Sequence, residues 1–152
     1  MKKILALLVM LSILATAVSA IKPESTPVKG GNTHLYLYEK DPLTWDIVED
    51  PVWGLMNINH NGKFVFNGHG VEVTDYTLIN YGGWPDVQCL GSATANEDGN
   101  VHIKGIMPEE LLIEGENDGA KIWLVNSADV DCDTSKMVAW VPETMLFENN
   151  LI

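Results

Sequence analysis

Arginine is absent from this chain of 152 residues, and nine lysines face 21 acidic side chains. Nucleic acid and anionic lipid surfaces are held through clustered Lys and Arg that displace counterions, so this balance excludes both as partners. Long apolar runs are equally scarce: one covers residues 4–11, and no later stretch is long enough to cross a bilayer. No window of about ten to twelve residues carries helical periodicity. The motifs of common catalysis are missing too. There is no Gly-x-Ser-x-Gly elbow, and Gly68-His69-Gly70 lacks the further glycines and the following helix of a phosphate loop. His34, His60, His69 and His102 stand singly, without the short spacings of zinc sites. With so many acids, any pairing of two for glycoside hydrolysis is uninformative.

What the chain does have begins at its N-terminus. Lys2 and Lys3 precede the apolar run, and Val18-Ser19-Ala20 supplies the small residues that a signal peptidase reads. Residues 1–20 are expected to be a signal peptide cleaved after Ala20, which makes the protein secreted or extracytoplasmic, with no membrane span after cleavage. No cysteine follows the cleavage point closely enough for acyl anchoring, and no Asn-x-Ser/Thr sequon is present. Without Lys2 and Lys3, seven lysines remain against 21 acids, a formal charge of −14.

Two cysteines in an exported chain are expected to oxidise to one disulfide, Cys89 to Cys132. A copper site would need a His and a Met close after a Cys; Met137 follows Cys132 with no His near it, which disfavours copper. Asp129, Asp131 and Asp133 alternate around Cys132, and on an extended segment alternate side chains turn the same way. They are the candidate ligands for calcium, the one cofactor the sequence suggests. A solvated acidic turn beside the disulfide is the other reading. An EF-hand is excluded, because Thr134 and Trp140 occupy the positions where that loop needs Gly and Glu. Trp84, in the Gly82-Gly83-Trp84-Pro85 loop, is the candidate platform for a sugar or a protein partner, the alternative being that it caps the core. Trp45, Trp53, Trp123 and Trp140 lie in or beside strand-like runs and read as packing.

Residues 21–32 mix Pro23, Pro27, Gly30 and Gly31 with polar side chains and read as a flexible leader. From residue 33 to 152, short runs rich in Val, Ile, Tyr, Phe and Trp alternate with Gly, Asn, Asp and Pro, the rhythm of one antiparallel domain. Strand-like runs lie at residues 34–38, 43–48, 56–58, 64–66, 71–81, 87–95, 101–104, 120–125, 137–141 and 145–147, with 71–81 read as one long strand or a bulged pair, and about eight strands are expected in all. Asn61-Gly62 predicts a hairpin with a type I′ turn, and Asp98-Gly99 a second hairpin. Residues 107–118 hold five acids around an apolar trio and are left unassigned.

The strings at residues 34–42, 64–70, 75–79, 99–103 and 119–125 resemble a group of small exported domains of archaeal type, a likeness covering residues 33–148. That resemblance implies an extracytoplasmic β-sandwich without an assigned activity. The expectation is therefore an all-β antiparallel sandwich, immunoglobulin-like or related. Its role would be binding or structural, with a protein or glycan at the cell surface as partner. The alternatives are a calcium-stabilised carbohydrate-binding or adhesion domain and a small secreted hydrolase.

Overall fold

The computed structural model describes residues 26–28, 32–49, 52–108, 111 and 121–149. The expected signal peptide lies outside the described residues, as does most of 107–118. The described residues form eleven strands: β1 (Thr26–Val28), β2 (Asn32–Tyr38), β3 (Trp53–Ile58), β4 (Lys63–His69), β5 (Asp75–Gly83), β6 (Asp86–Thr94), β7 (Asn100–Ile106), β8 (Ile122–Asn126), β9 (Val130–Asp131), β10 (Lys136–Met137) and β11 (Leu146–Glu148). Inside the stretch expected as a leader, β1 pairs with the start of β2.

All pairings are antiparallel. Ten strands follow one path, β7-β4-β3-β2-β11-β8-β5-β6-β10-β9. The described ladders thus make one curled sheet, a half-barrel. Two separate stacked sheets, the sandwich expected from the strand rhythm, are not confirmed, because β11 bridges β2 and β8 and joins what would have been two layers. The strand rhythm cannot reveal that bridge, since ladder partners are set by register across the whole chain.

Alternation places Leu35, Leu37, Met56, Phe64, Phe66, Leu78, Val101, Ile103, Ile122 and Leu124 on the concave face, where they form the main core. On β5, β8 and β11 the alternate residues are buried as well. Ile79, Trp123, Val125 and Phe147 pack on the convex face beneath Val130, Met137 and Met145. The segment 127–145 therefore forms a partial second layer over these strands, and the Cys89–Cys132 disulfide ties it to β6. Strands buried on both faces read as continuous apolar runs, which is why Ile122-Trp123-Leu124-Val125 alternates so poorly.

Several turns differ from expectation. The β3–β4 hairpin is present, but Asn59 N donates to Lys63 O and only Gly62 has positive φ, +75°. This is a type I turn followed by a left-handed glycine, with Asn59 Oδ1 accepting from the amides of Asn61 and Lys63. Asn96 and Gly99 repeat the same turn, yet β6 and β7 leave it for different ladder partners, β5 and β4. The strand expected over 43–48 is instead a loop. Asp41 Oδ1 accepts from the amides of Leu43 and Thr44, closing an Asx turn after Tyr38. Residues 137–141 extend only over Met137 at their start.

Close packing inside the curl depends on missing side chains. A Cβ on Gly54 would lie 2.3 Å from Phe66 Cζ, a contact that fully buried rings cannot relieve without moving. Gly54→Ala is expected to cost about 1–3 kcal/mol by overpacking, read as a thermal midpoint several degrees lower. An unchanged midpoint would mean that the Phe66 ring has room to turn.

Candidate functional site

The register of the ladders aligns one row of side chains across the convex face. His69 pairs with Trp53, Trp53 with Tyr38, Tyr38 with Phe147, Phe147 with Trp123 and Trp123 with Ile79. Aromatic rings from four strands are thus neighbours, although they come from residues more than a hundred apart in sequence. Trp123 and Phe147 meet edge to face at 5.1 Å, and Tyr81 stacks on Trp123 at 4.0 Å. Such offset and T-shaped pairs are the arrangements that ring quadrupoles favour.

Two further tryptophans stand over this floor. Trp45 reaches it from the loop after β2 and meets Phe147 edge to face at 5.3 Å. Trp140, from the partial second layer, lies 5.6 Å from Trp123 and 6.3 Å from Trp45. Both keep nearly half of their surface exposed, 48% for Trp45 and 43% for Trp140. Trp45 is held at φ +63°, a left-handed conformation that bulky residues adopt rarely and at a cost. The loop's hydrogen bonds sustain it: Trp45 N donates to Asp41 O at 2.8 Å and Asp41 N to Asp46 O at 2.9 Å. The same Asx turn holds the Asp41 carboxyl below the ordinary carboxylate range, through the amides of Thr44 and Leu43.

Between these rings lies a cavity of about 400 Å³, lined by Lys40, Trp45, Tyr81, Lys121, Trp123, Trp140, Phe147 and Glu148. Its polar groups are few and unusual. Glu148 is 8% exposed, and its Oε2 has no hydrogen-bond partner. Burial pushes the Glu148 carboxyl up to about 7, against the opposing pull of its own amide, Lys40, the Trp123 side chain and Lys121. Lys40 Nζ is anchored at 2.7 Å to the Glu148 carbonyl oxygen, and Lys121 Nζ stands 5.9 Å from the centre of the Tyr81 ring. Apolar walls with a few convergent polar groups are the usual composition of a small-ligand site. An unpaired buried carboxyl oxygen costs stability, so its presence at such a wall is informative.

A larger and more open depression of about 660 Å³ lies over β5, β6 and the β8–β9 connection. Its polar groups satisfy one another. Thr77 Oγ1 is 2.8 Å from both Ser92 Oγ and Ser127 Oγ, and the Thr94 hydroxyl donates to Asp75. Asp131 and Asp133 sit on its rim, but the extended segment expected to align three carboxylates is only Val130–Asp131. Asp129 belongs to a 3-10 turn, where burial raises its carboxyl above the ordinary range. Asp131 is occupied as a turn cap: its carboxylate accepts from Thr134 Oγ1 at 2.7 Å and from the amides of Asp133 and Thr134. These bonds lower its pKa. Among the described residues no group of three His, Cys, Asp or Glu could hold a metal ion.

Trp84 is 56% exposed at the tip of the β5–β6 hairpin, beside a cis peptide bond to Pro85. It is not among the residues lining either cavity. The cysteines form the expected disulfide, with Cα atoms 5.7 Å apart. The sequence reading treated Trp45, Trp123 and Trp140 as packing and missed the site that they make together. Trp123 is indeed packed, whereas Trp45 follows Asp41-Pro42, a turn signature that marks its surroundings as loop. No helix among the described residues is long and apolar enough to cross a membrane. Compared with known proteins, the chain matches no family model, no curated protein and no solved structure.

Proposed function

We propose that the mature chain is an exported, non-catalytic binding module that seats a carbohydrate ring against the exposed faces of Trp45 and Trp140. The observation that carries this reading is the pair of half-exposed indoles, their rings 6.3 Å apart, beside a cavity also lined by Glu148, whose buried Oε2 has no hydrogen-bond partner. Aromatic faces stack on the apolar C–H faces of sugars, while a carboxyl and two ammonium groups bond to hydroxyls that would otherwise lose water. A cationic ligand, the other frequent guest of an aromatic cage, is opposed by Lys40 and Lys121 in the same wall. Hydrolysis of a glycoside by the usual route needs two carboxyl groups flanking the bond, and Glu148 is the one carboxyl among the lining residues.

The test is a titration of the mature chain, residues 21–152, with a panel of neutral and acidic mono- and oligosaccharides, followed by tryptophan fluorescence. At least one sugar is expected to give a saturable change. Trp45→Ala and Trp140→Ala should each weaken it about thirtyfold, equivalent to about 2 kcal/mol for the loss of an aromatic anchor. Saturable binding that neither substitution alters would place the ligand elsewhere, and no response to any sugar would remove the reading.

A further inference from the structure

Trp45 owes its place over the cavity to a loop that holds itself. Residues 41–46 stand between Lys40 and Ile47, which pair as an isolated antiparallel bridge, and the amides of Glu39 and Val48 close the base by donating to Val52 O and Glu39 O. Beyond that base Pro42, Leu43 and Thr44 are exposed, Leu43 to 90%, so packing does not shape the turn. Its form comes from its own hydrogen bonds, and Asp41 makes most of them. The Asp41 carboxylate accepts from the amides of Leu43 and Thr44 at 2.8 and 3.0 Å, its carbonyl oxygen accepts from Trp45 N, and its amide donates to Asp46 O.

What this turn fixes is the direction of an indole. Trp45 has φ +63°, a conformation that a bulky residue keeps only where its surroundings dictate it. Returning φ to the ordinary negative range would swing Cβ and carry the ring away from Phe147 and Trp140, whose ring centres lie at 5.3 and 6.3 Å. Asp41 itself is not among the residues lining the cavity. A side chain outside the site thus governs whether one of its walls is in place.

We infer, resting on the carbohydrate reading for the ligand alone, that Asp41 is the positioning residue of the aromatic site and sets the Trp45 ring in its binding position before a ligand arrives. A site whose competent form is only partly populated binds more weakly by that same fraction. Loss of the Asx turn therefore lowers affinity in proportion to the time Trp45 spends elsewhere, although no ligand contact has been removed.

Near-ultraviolet circular dichroism of residues 21–152 reads the ring without a ligand, the parent spectrum minus that of Trp45→Ala giving the Trp45 contribution. Asp41→Ala should lose about nine-tenths of that contribution, and bind any sugar that the parent binds about tenfold more weakly, the two losses matching. The sugars are the panel titrated above, with maltohexaose, cellohexaose and chitohexaose among them, and the readout is again tryptophan fluorescence. Asp41→Asn should keep both the contribution and the affinity, because asparagine closes the same turn. Asp41→Glu, which keeps the charge but overreaches the two amides, is the second variant and should behave as Asp41→Ala does. Thermal midpoints of all three should stay close to that of the parent, since the turn lies outside the core. An unchanged Trp45 contribution in Asp41→Ala, or a lost contribution with unchanged affinity, would overturn the positioning role and leave the carbohydrate reading standing. Equal losses in Asp41→Asn and Asp41→Ala would overturn it as well. No response of the parent to any sugar would remove the carbohydrate reading, and the role of Asp41 in binding with it.

Discussion

Exchange of both Cys89 and Cys132 for serine is expected to lower the unfolding free energy by about 4 kcal/mol. The cysteines are 43 residues apart, and a cross-link closing a loop of that length restricts the unfolded chain by about this amount in the chain-entropy model. The structure adds a local reason for a large effect. Cys132 lies in the turn after β9, and the segment it anchors covers Trp123, Phe147 and Ile79 on the convex face. Its attachment through strands is thin: β10 meets β6 at one pair, Lys136 with Asp86, where the two side chains also form an exposed ion pair, and such pairs contribute little. Freed from the disulfide, this layer should open before the main core does. Denaturant unfolding of the double serine variant should show the lower midpoint, and a dye that binds exposed apolar surface should report the uncovered cluster. A loss below about 1 kcal/mol would mean that Val130, Met137 and Met145 hold the layer by packing alone.

Glu148→Gln should remove a pH dependence of comparable size. The folded-state pKa of Glu148 is raised from 4.5 to about 7 by burial, so the folded chain holds a proton that the unfolded chain has released. Below pH 4.5 both states are protonated and the group is neutral to stability. Between pH 4.5 and 7 stability falls as pH rises, and above 7 the full cost of burying the carboxylate is present, about 3 kcal/mol for a shift of this size. Glutamine keeps the shape and an acceptor for the Trp123 side chain but carries no charge. The variant and the parent protein should therefore unfold alike at pH 4 and diverge to roughly 3 kcal/mol at pH 8, the variant being the more stable. Parallel stability curves across that range would show that water or the lysines solvate the carboxylate in the folded state.

Strand existence was legible because alternation is local. Leu35 and Leu37, Phe64 and Phe66, and Val101 and Ile103 each announce an inward face within a few residues. The disulfide was legible from the count of two cysteines and the expectation of export. Sheet order was not: β11 is three residues long, yet it joins β2 to β8 and makes one curled sheet of the whole. The aromatic cavity was hidden for the same reason. Trp45, Trp123, Trp140 and Phe147 meet only once the register is set, and nothing in their spacing shows that two of them end half-exposed. The alternation of Asp129, Asp131 and Asp133 does not carry over into one extended segment. Asp131 has the sequence of a ligand and the structure of a turn cap, since a short acidic side chain satisfies nearby amides as readily as it would a cation.

A glycan array probed with residues 21–152 and with their Trp45→Ala/Trp140→Ala variant side by side tests the central claim most directly. The account predicts a set of glycans bound by the parent protein and lost in the double variant, with both proteins unfolding at similar temperatures. An identical array pattern for the two proteins, or binding that follows Trp84 instead, would contradict it.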